Sequence, residues 1–222
     1  MPLIWFSLTR RAFVCYDDFD MLGNGGIVMY KRCTTEKATL QQRQFEVCLL
    51  AAMRDKPYRE ITVSRLCEQA GLPRMTFYRL FDSKDDVLYA LVDHALTDHL
   101  NFFLPEDQIS SAELASLQNF FAYWHAQKPL LDVLRKNNQS ALLIQRAIDH
   151  TITEESEALH RLAADNAYCG NEILAFFISG LFGLIVQWHE SGYEKTVAEI
   201  SGIMHQLLIN PPIRFPLPSD NL

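Results

Sequence analysis

The side chains with chemical reach in this 222-residue chain fall into two groups, and only one of them is organised. Seven histidines (His94, His99, His125, His150, His160, His189, His205) and five cysteines (Cys15, Cys33, Cys48, Cys67, Cys169) are the obvious ligands and nucleophiles. The cysteines are odd in number and form no CxxC pair, which argues against a disulfide framework or a zinc ribbon and for a reducing cytosol. The histidines are scattered, with no metal-ligand spacing, nucleophile elbow or phosphate-cradling glycine loop. His94 and Asp98 share a helix face, an arrangement far commoner as a surface pair than as a catalytic one. No enzyme, metal or cofactor is expected. The second group is compact: Arg74, Met75, Thr76, Tyr78 and Arg79 crowd one short segment. Arginine is the commonest reader of guanine edges, and a helix is the right width for a major groove.

The elements around that segment have the form needed to present it. Thr62 opens a helix with Val63, Leu66, Cys67 and Ala70 inward, and Gly71 ends it. Pro73 opens a shorter helix to about Phe81, with Phe77, Leu80 and Phe81 for packing and the polar set outward. Only Gly71 and Leu72 separate the two, which is helix-turn-helix spacing: Ala70 permits close approach, Gly71 supplies a positive φ and Leu72 plugs the core. Charge agrees. Residues 54–84 hold seven basic and four acidic side chains, net +3, within a chain of net charge −7, so the remainder carries −10. A basic head on an acidic body binds DNA with one end only.

Elsewhere the pattern is helical from Thr39 onward, with Phe45, Leu49, Ala52 and Met53 on one buried face until Pro57. Ser83 with Asp86 predicts the N-cap of a long helix whose apolar face is Val87, Leu88, Leu91, Val92, Ala95 and Leu96. Ser110 with Glu113 caps a helix to about Gln127, Pro129 starts a short one, and Ser140 caps one reaching about Ala164. Asn171–Ser191 and Glu194–Ile209 give the last two helices. The 14-residue apolar run from Ile173 to Val186 is too short to span a bilayer, so no membrane association is expected. Strand-type alternation is missing, and the chain reads as all-α.

The stretch from Ile61 to Leu88 resembles the TetR family of transcriptional regulators, through Ala70-Gly71, Thr76-Phe77-Tyr78 and Phe81-x-Ser83-Lys84 ending in Asp86-x-Leu88. The resemblance implies a three-helix DNA-binding head over residues 36–83 and a helical regulatory and dimerisation domain over 84–210. Residues 1–35 would be a disordered or non-native extension and 211–222 a Pro-rich tail. Gly25-Gly26 lies just before Met29, and two glycine codons can encode a ribosome-binding site, so translation starting at Val28 or Met29 is one expectation. The resemblance also implies that Thr62, Tyr78 and Lys84 hold DNA phosphates, and that Arg74, Met75, Thr76 and Arg79 approach base edges. Leu80 departs from the family by replacing a polar side chain, Pro73 replaces the usual Ser-type cap, and Asp82, Asp85 and Asp86 put negative charge near the DNA edge.

A second likeness, Phe176-Phe177-Ile178-Ser179-Gly180-Leu181-x-Gly183 with Trp188 and Gly192-Tyr193, is similar to a TetR subgroup that includes activators of dihydroxyacetone kinase operons, some of which work through a partner protein. It implies a four-helix homodimer seam through Phe177, Gly180, Leu181, Leu184, Ile200, Ile203, Met204 and Leu207. Tyr123, Trp124, His125 and Trp188 are the candidate effector pocket, each bringing a polar handle to an apolar wall. The leading expectation is a cytoplasmic, dimeric regulator, a repressor or an activator, that binds a double-stranded DNA operator under control of a small-molecule effector. The alternative is a coactivator of the same architecture acting through a partner protein.

Overall fold

A computed structural model describes residues 30–31, 33, 35–103, 113–153 and 171–209. Among these residues nine α-helices and no strand occur: α1 (Glu36–Asp55), α2 (Val63–Ala70), α3 (Arg74–Leu80), α4 (Lys84–Phe103), α5 (Glu113–Ala126), α6 (Lys128–Lys136), α7 (Ser140–Thr153), α8 (Asn171–Glu190) and α9 (Val197–Ile209). The expected N-terminal extension as far as Met29, the Ser110 cap, the continuation of α7 to Ala164 and the Pro-rich tail lie outside the described residues. No helix among them is long and apolar enough to cross a membrane.

The first helix begins three residues earlier than its apolar periodicity suggests, because the Thr35 hydroxyl accepts the Ala38 amide and caps it. Its inward stripe is Phe45, Leu49, Ala52 and Met53, as the spacing predicts. Phe45 meets Phe77 edge-on at 5.2 Å and Phe81 at 6.1 Å, and all three rings are fully buried. Each such ring contributes about 1.5–3 kcal/mol by leaving water, so this trio seats α3 on α1. Gln44 adds a polar stitch, donating from Nε2 to the Ala70 carbonyl at 2.6 Å.

Helix α4 is the spine between the two halves, packing on α1, α5 and α7. Two further ties cross the same boundary. The Asn137 side chain, just past α6, accepts the Tyr58 amide at 2.6 Å and donates to the carbonyls of Met53 (3.2 Å) and Val133 (2.8 Å). The Lys136 ammonium reaches the Arg54 carbonyl. At the other side of α6, Asp132 pairs with the buried His189 of α8 at 2.8 Å. A buried ion pair, Arg146 on α7 with Asp93 on α4, is bidentate at 2.8 and 2.5 Å.

Three local expectations change. Pro73 stands at the N-cap position, outside α3 rather than in it. Helix α9 starts at Val197, not Glu194, since Thr196 and Glu199 form a reciprocal capping box there. His94 does not pair with Asp98: its Nδ1 lies 2.8 Å from the buried Glu46 of α1, while Asp98 takes Arg43 at 3.5 Å.

Candidate nucleic-acid interface

The turn between α2 and α3 is built from backbone hydrogen bonds that only a residue tolerant of positive φ can close. Gly71, at φ +61°, donates to the Glu68 carbonyl, and Leu72 donates to the Cys67 carbonyl. This is the Schellman pattern, and it turns the chain sharply enough for α3 to cross α2. The Thr62 hydroxyl is already used as the N-cap of α2, accepting the Arg65 amide at 3.3 Å.

Helix α3 buries Phe77 and Leu80 and shows its other side to solvent. Met75 is 84% exposed, Arg74, Tyr78 and Arg79 are exposed, and Thr76 is half-buried. The five line one open surface depression. The Arg74 guanidinium lies over the Tyr78 ring at 5.9 Å and its Nη2 donates to the Tyr78 hydroxyl at 3.4 Å, which fixes a cation beside a phenol on the same face. Arg79 Nη2 donates to Gln41 Oε1 at 2.7 Å.

The helix is held at its far end by a residue from before α1. Lys31 donates its amide to the Leu80 carbonyl and its ammonium to the Tyr78 carbonyl at 2.9 Å, and pairs with Asp82 at 2.8 Å. A cation at a helix C-terminus meets the negative end of the peptide dipoles. Lys31 and Gln41 carry no pattern that sequence reading could use, since each acts across at least 38 positions on a helix far off in sequence.

Lys84 takes a different place from a free phosphate ligand. Its ammonium donates to the carbonyls of Tyr58 (2.7 Å) and Ile61 (3.0 Å) and sits 4.4 Å above the Tyr58 ring. One of its three donors is left by these two bonds. Asp86 points inward and is buried, accepting the amides of Asp82 and Ser83, while Ser83 Oγ accepts those of Asp85 and Asp86. Asp85 accepts the Tyr58 hydroxyl. Of the three acids expected at the DNA edge, Asp86 is thus buried as a helix cap, Asp85 is held by Tyr58 and Asp82 is paired with Lys31.

The C-terminal candidates divide. Trp124 is fully buried against Phe182 (5.1 Å), and its Nε1–H has no hydrogen-bond partner among the described residues. Tyr123 is half-buried and donates to the Ala95 carbonyl at 2.7 Å. Trp188 is buried and donates to the Lys195 carbonyl at 2.8 Å. His125 is exposed and meets the Tyr193 ring edge-on at 4.6 Å. His125 and Trp188 thus form one aromatic group with Tyr193, whereas Tyr123 and Trp124 lie in another around His99.

Of the residues assigned to a dimer seam, Ile200 and Met204 are 3% and 7% exposed within their own chain. They turn inward as α9 packs on α5, a correction to their seam role. Ile203 and Leu207, an i, i+4 pair on the neighbouring stripe, are exposed together with Phe177 and Gly180, and Leu181 and Leu184 are half-buried. Phe176 joins them at 77% exposure.

Residues 50–91 match the family model described as bacterial regulatory proteins, tetR family. No curated protein sequence matches the chain. Among solved structures, the fatty acid degradation regulator FadR from Bacillus halodurans superposes with a TM-score of 0.55 at 16% identity, over 80% of this chain and 96% of that one. Lin0861 from Listeria innocua does so with a TM-score of 0.61 at 15% identity, over 83% and 98%. The helix-turn-helix head is therefore similar to the N-terminal domain of tetR-family bacterial regulatory proteins, and most of the chain shares an all-helical fold with FadR and Lin0861.

Proposed function

We propose that the protein is a dimeric, cytoplasmic DNA-binding transcriptional regulator whose operator binding is controlled by a small molecule. The observation that carries this reading is the outward face of α3: Arg74, Met75, Tyr78 and Arg79 are exposed on a helix whose inner side is locked to α1 by three buried rings. Phosphate contacts from Thr62, Tyr78 and Lys84 would fix register, and base contacts from Arg74, Met75, Thr76 and Arg79 would choose sequence. The exposed Phe176, Phe177, Ile203 and Leu207 offer a second copy an apolar seam. A pair of heads about 34 Å apart enters successive major grooves, so an effector that favours one spacing over another shifts binding.

The effector site is assigned to the helices around Trp124. A fully buried indole N–H without an acceptor costs about 1–3 kcal/mol, and an apolar ligand carrying one acceptor would recover it. The C-terminal likeness to dihydroxyacetone kinase operon activators supports a protein partner as the alternative source of control.

The test is selection of bound duplexes from a random pool, followed by anisotropy titrations at several salt concentrations. Affinity falls with rising salt, and Arg74→Ala lowers it by about 1–3 kcal/mol while loosening base preference. Binding that ignores salt and this substitution, or no binding at all, overturns the DNA reading and leaves the coactivator.

A further inference from the structure

Gln41 lies on α1, outside the helix-turn-helix, yet its side-chain oxygen is 2.7 Å from Nη2 of Arg79 on the recognition helix. It stands one helical turn before Phe45, whose ring packs on Phe77 at 5.2 Å. The acceptor is therefore fixed relative to α3 by the core of the head. We infer that Gln41 is a positioning residue for Arg79 and so helps determine which base pair the protein prefers; the inference rests on the DNA-binding reading above.

Arg79 needs such a partner because it sits in the last turn of a seven-residue helix and is exposed, where a long side chain otherwise samples many rotamers. The chemistry of the partner matters as much as its place. Lys31 is paired with Asp82, and Arg43 with Glu46 and Asp98. Arg79 is held instead by a neutral amide, which orients the guanidinium without cancelling its charge. One of its five donors is spent, and the others remain in a planar fork suited to the O6 and N7 acceptors of guanine.

The experiment uses the full chain as wild type, Gln41→Leu, Gln41→Glu, Arg79→Ala and the double variant Gln41→Leu/Arg79→Ala. Each is titrated against the selected duplex and against duplexes with every base pair changed singly. Arg79→Ala abolishes preference at one position. Gln41→Leu lowers preference at that same position by about two- to tenfold, the worth of one hydrogen bond, with other positions and the salt slope unchanged. It adds nothing in the Arg79→Ala background, and Gln41→Glu, which keeps an acceptor but adds a negative charge, retains the preference at that position while lowering affinity for every duplex. Wild-type preference in Gln41→Leu, loss spread evenly over all positions, or an Arg79→Ala protein that still discriminates everywhere would each overturn the inference while leaving the Arg74 reading intact. A wild type that selects no sequence overturns both.

Discussion

Replacing Arg146 by Met tests how the C-terminal helices are joined to the spine of the molecule. Arg146 and Asp93 have side chains 9% and 8% exposed, and their two hydrogen bonds at 2.8 and 2.5 Å make a fork-on-fork pair. The surroundings are already crowded with negative charge. Burial, and then the charges of Asp93 and Glu46, push the Tyr30 hydroxyl far above its ordinary range, so it stays a phenol donating to Asp93. Removing the guanidinium leaves the Asp93 carboxylate buried with the Tyr30 phenol as a donor but without its two charged hydrogen bonds. Breaking one half of such a pair costs about 3–5 kcal/mol. That is a large part of the roughly 5–15 kcal/mol that holds a domain folded. Replacing both partners by apolar residues of similar size, Asp93→Leu with Arg146→Met, comes out near neutral or stabilising, because the charges and their desolvation vanish together. Urea unfolding of wild type, single and double variants gives the coupling directly. A single variant that loses less than about 1 kcal/mol would mean the pair behaves as a solvated surface contact, and the reasoning from burial would be wrong.

Asn137→Ala removes three hydrogen bonds and leaves the Tyr58 amide and Met53 carbonyl unpaired, so urea unfolding shows a loss of about 1–3 kcal/mol. Burial, with the nearby His150, depresses the His99 pKa to about 3. The unfolded chain binds that proton near pH 6.5 and the folded one does not, so stability falls as pH drops from about 6.5 toward 3, with a slope of up to about 1.4 kcal/mol per pH unit. His99→Phe flattens that slope in unfolding curves collected across this range; an unchanged slope counts against a neutral buried ring. Phe177→Glu with Leu207→Glu places charge on both helices of the proposed seam; if that seam forms, sedimentation at micromolar concentration finds a dimeric wild type and a monomeric variant.

What was legible in the sequence was local. Gly71 needs only its own φ and its neighbours' carbonyls, so the turn could be placed from residue types, and Ser83 declared the start of α4 although a shorter Asp86 does the work of the usual glutamate. The outward set on α3 followed from helical period once Phe77 and Leu80 were assigned inward. Long-range polar pairings were not legible. Gln41–Arg79 joins helices 38 positions apart, and neither residue differs by type from an ordinary solvated side chain. Lys84 is a phosphate-ligand candidate by type and place, and nothing nearby in sequence announces that the Tyr58 and Ile61 carbonyls take two of its three donors. On α9, apolar residues cover so much of the circumference that periodicity could not separate Ile200 and Met204, which face their own chain, from Ile203 and Leu207, which do not. Arg146 did leave a trace: it interrupts an otherwise apolar face with Leu143 and Ala147, both buried, and a charge in that position calls for a partner.

Nuclease footprinting of the wild-type protein on its selected duplex tests the central claim most directly. Two protected half-sites related by two-fold symmetry, with centres about 10 base pairs or a multiple of that apart, are the result this account predicts, and Arg74→Ala erases both. A single unpaired footprint, or protection without sequence preference at any salt, would contradict it.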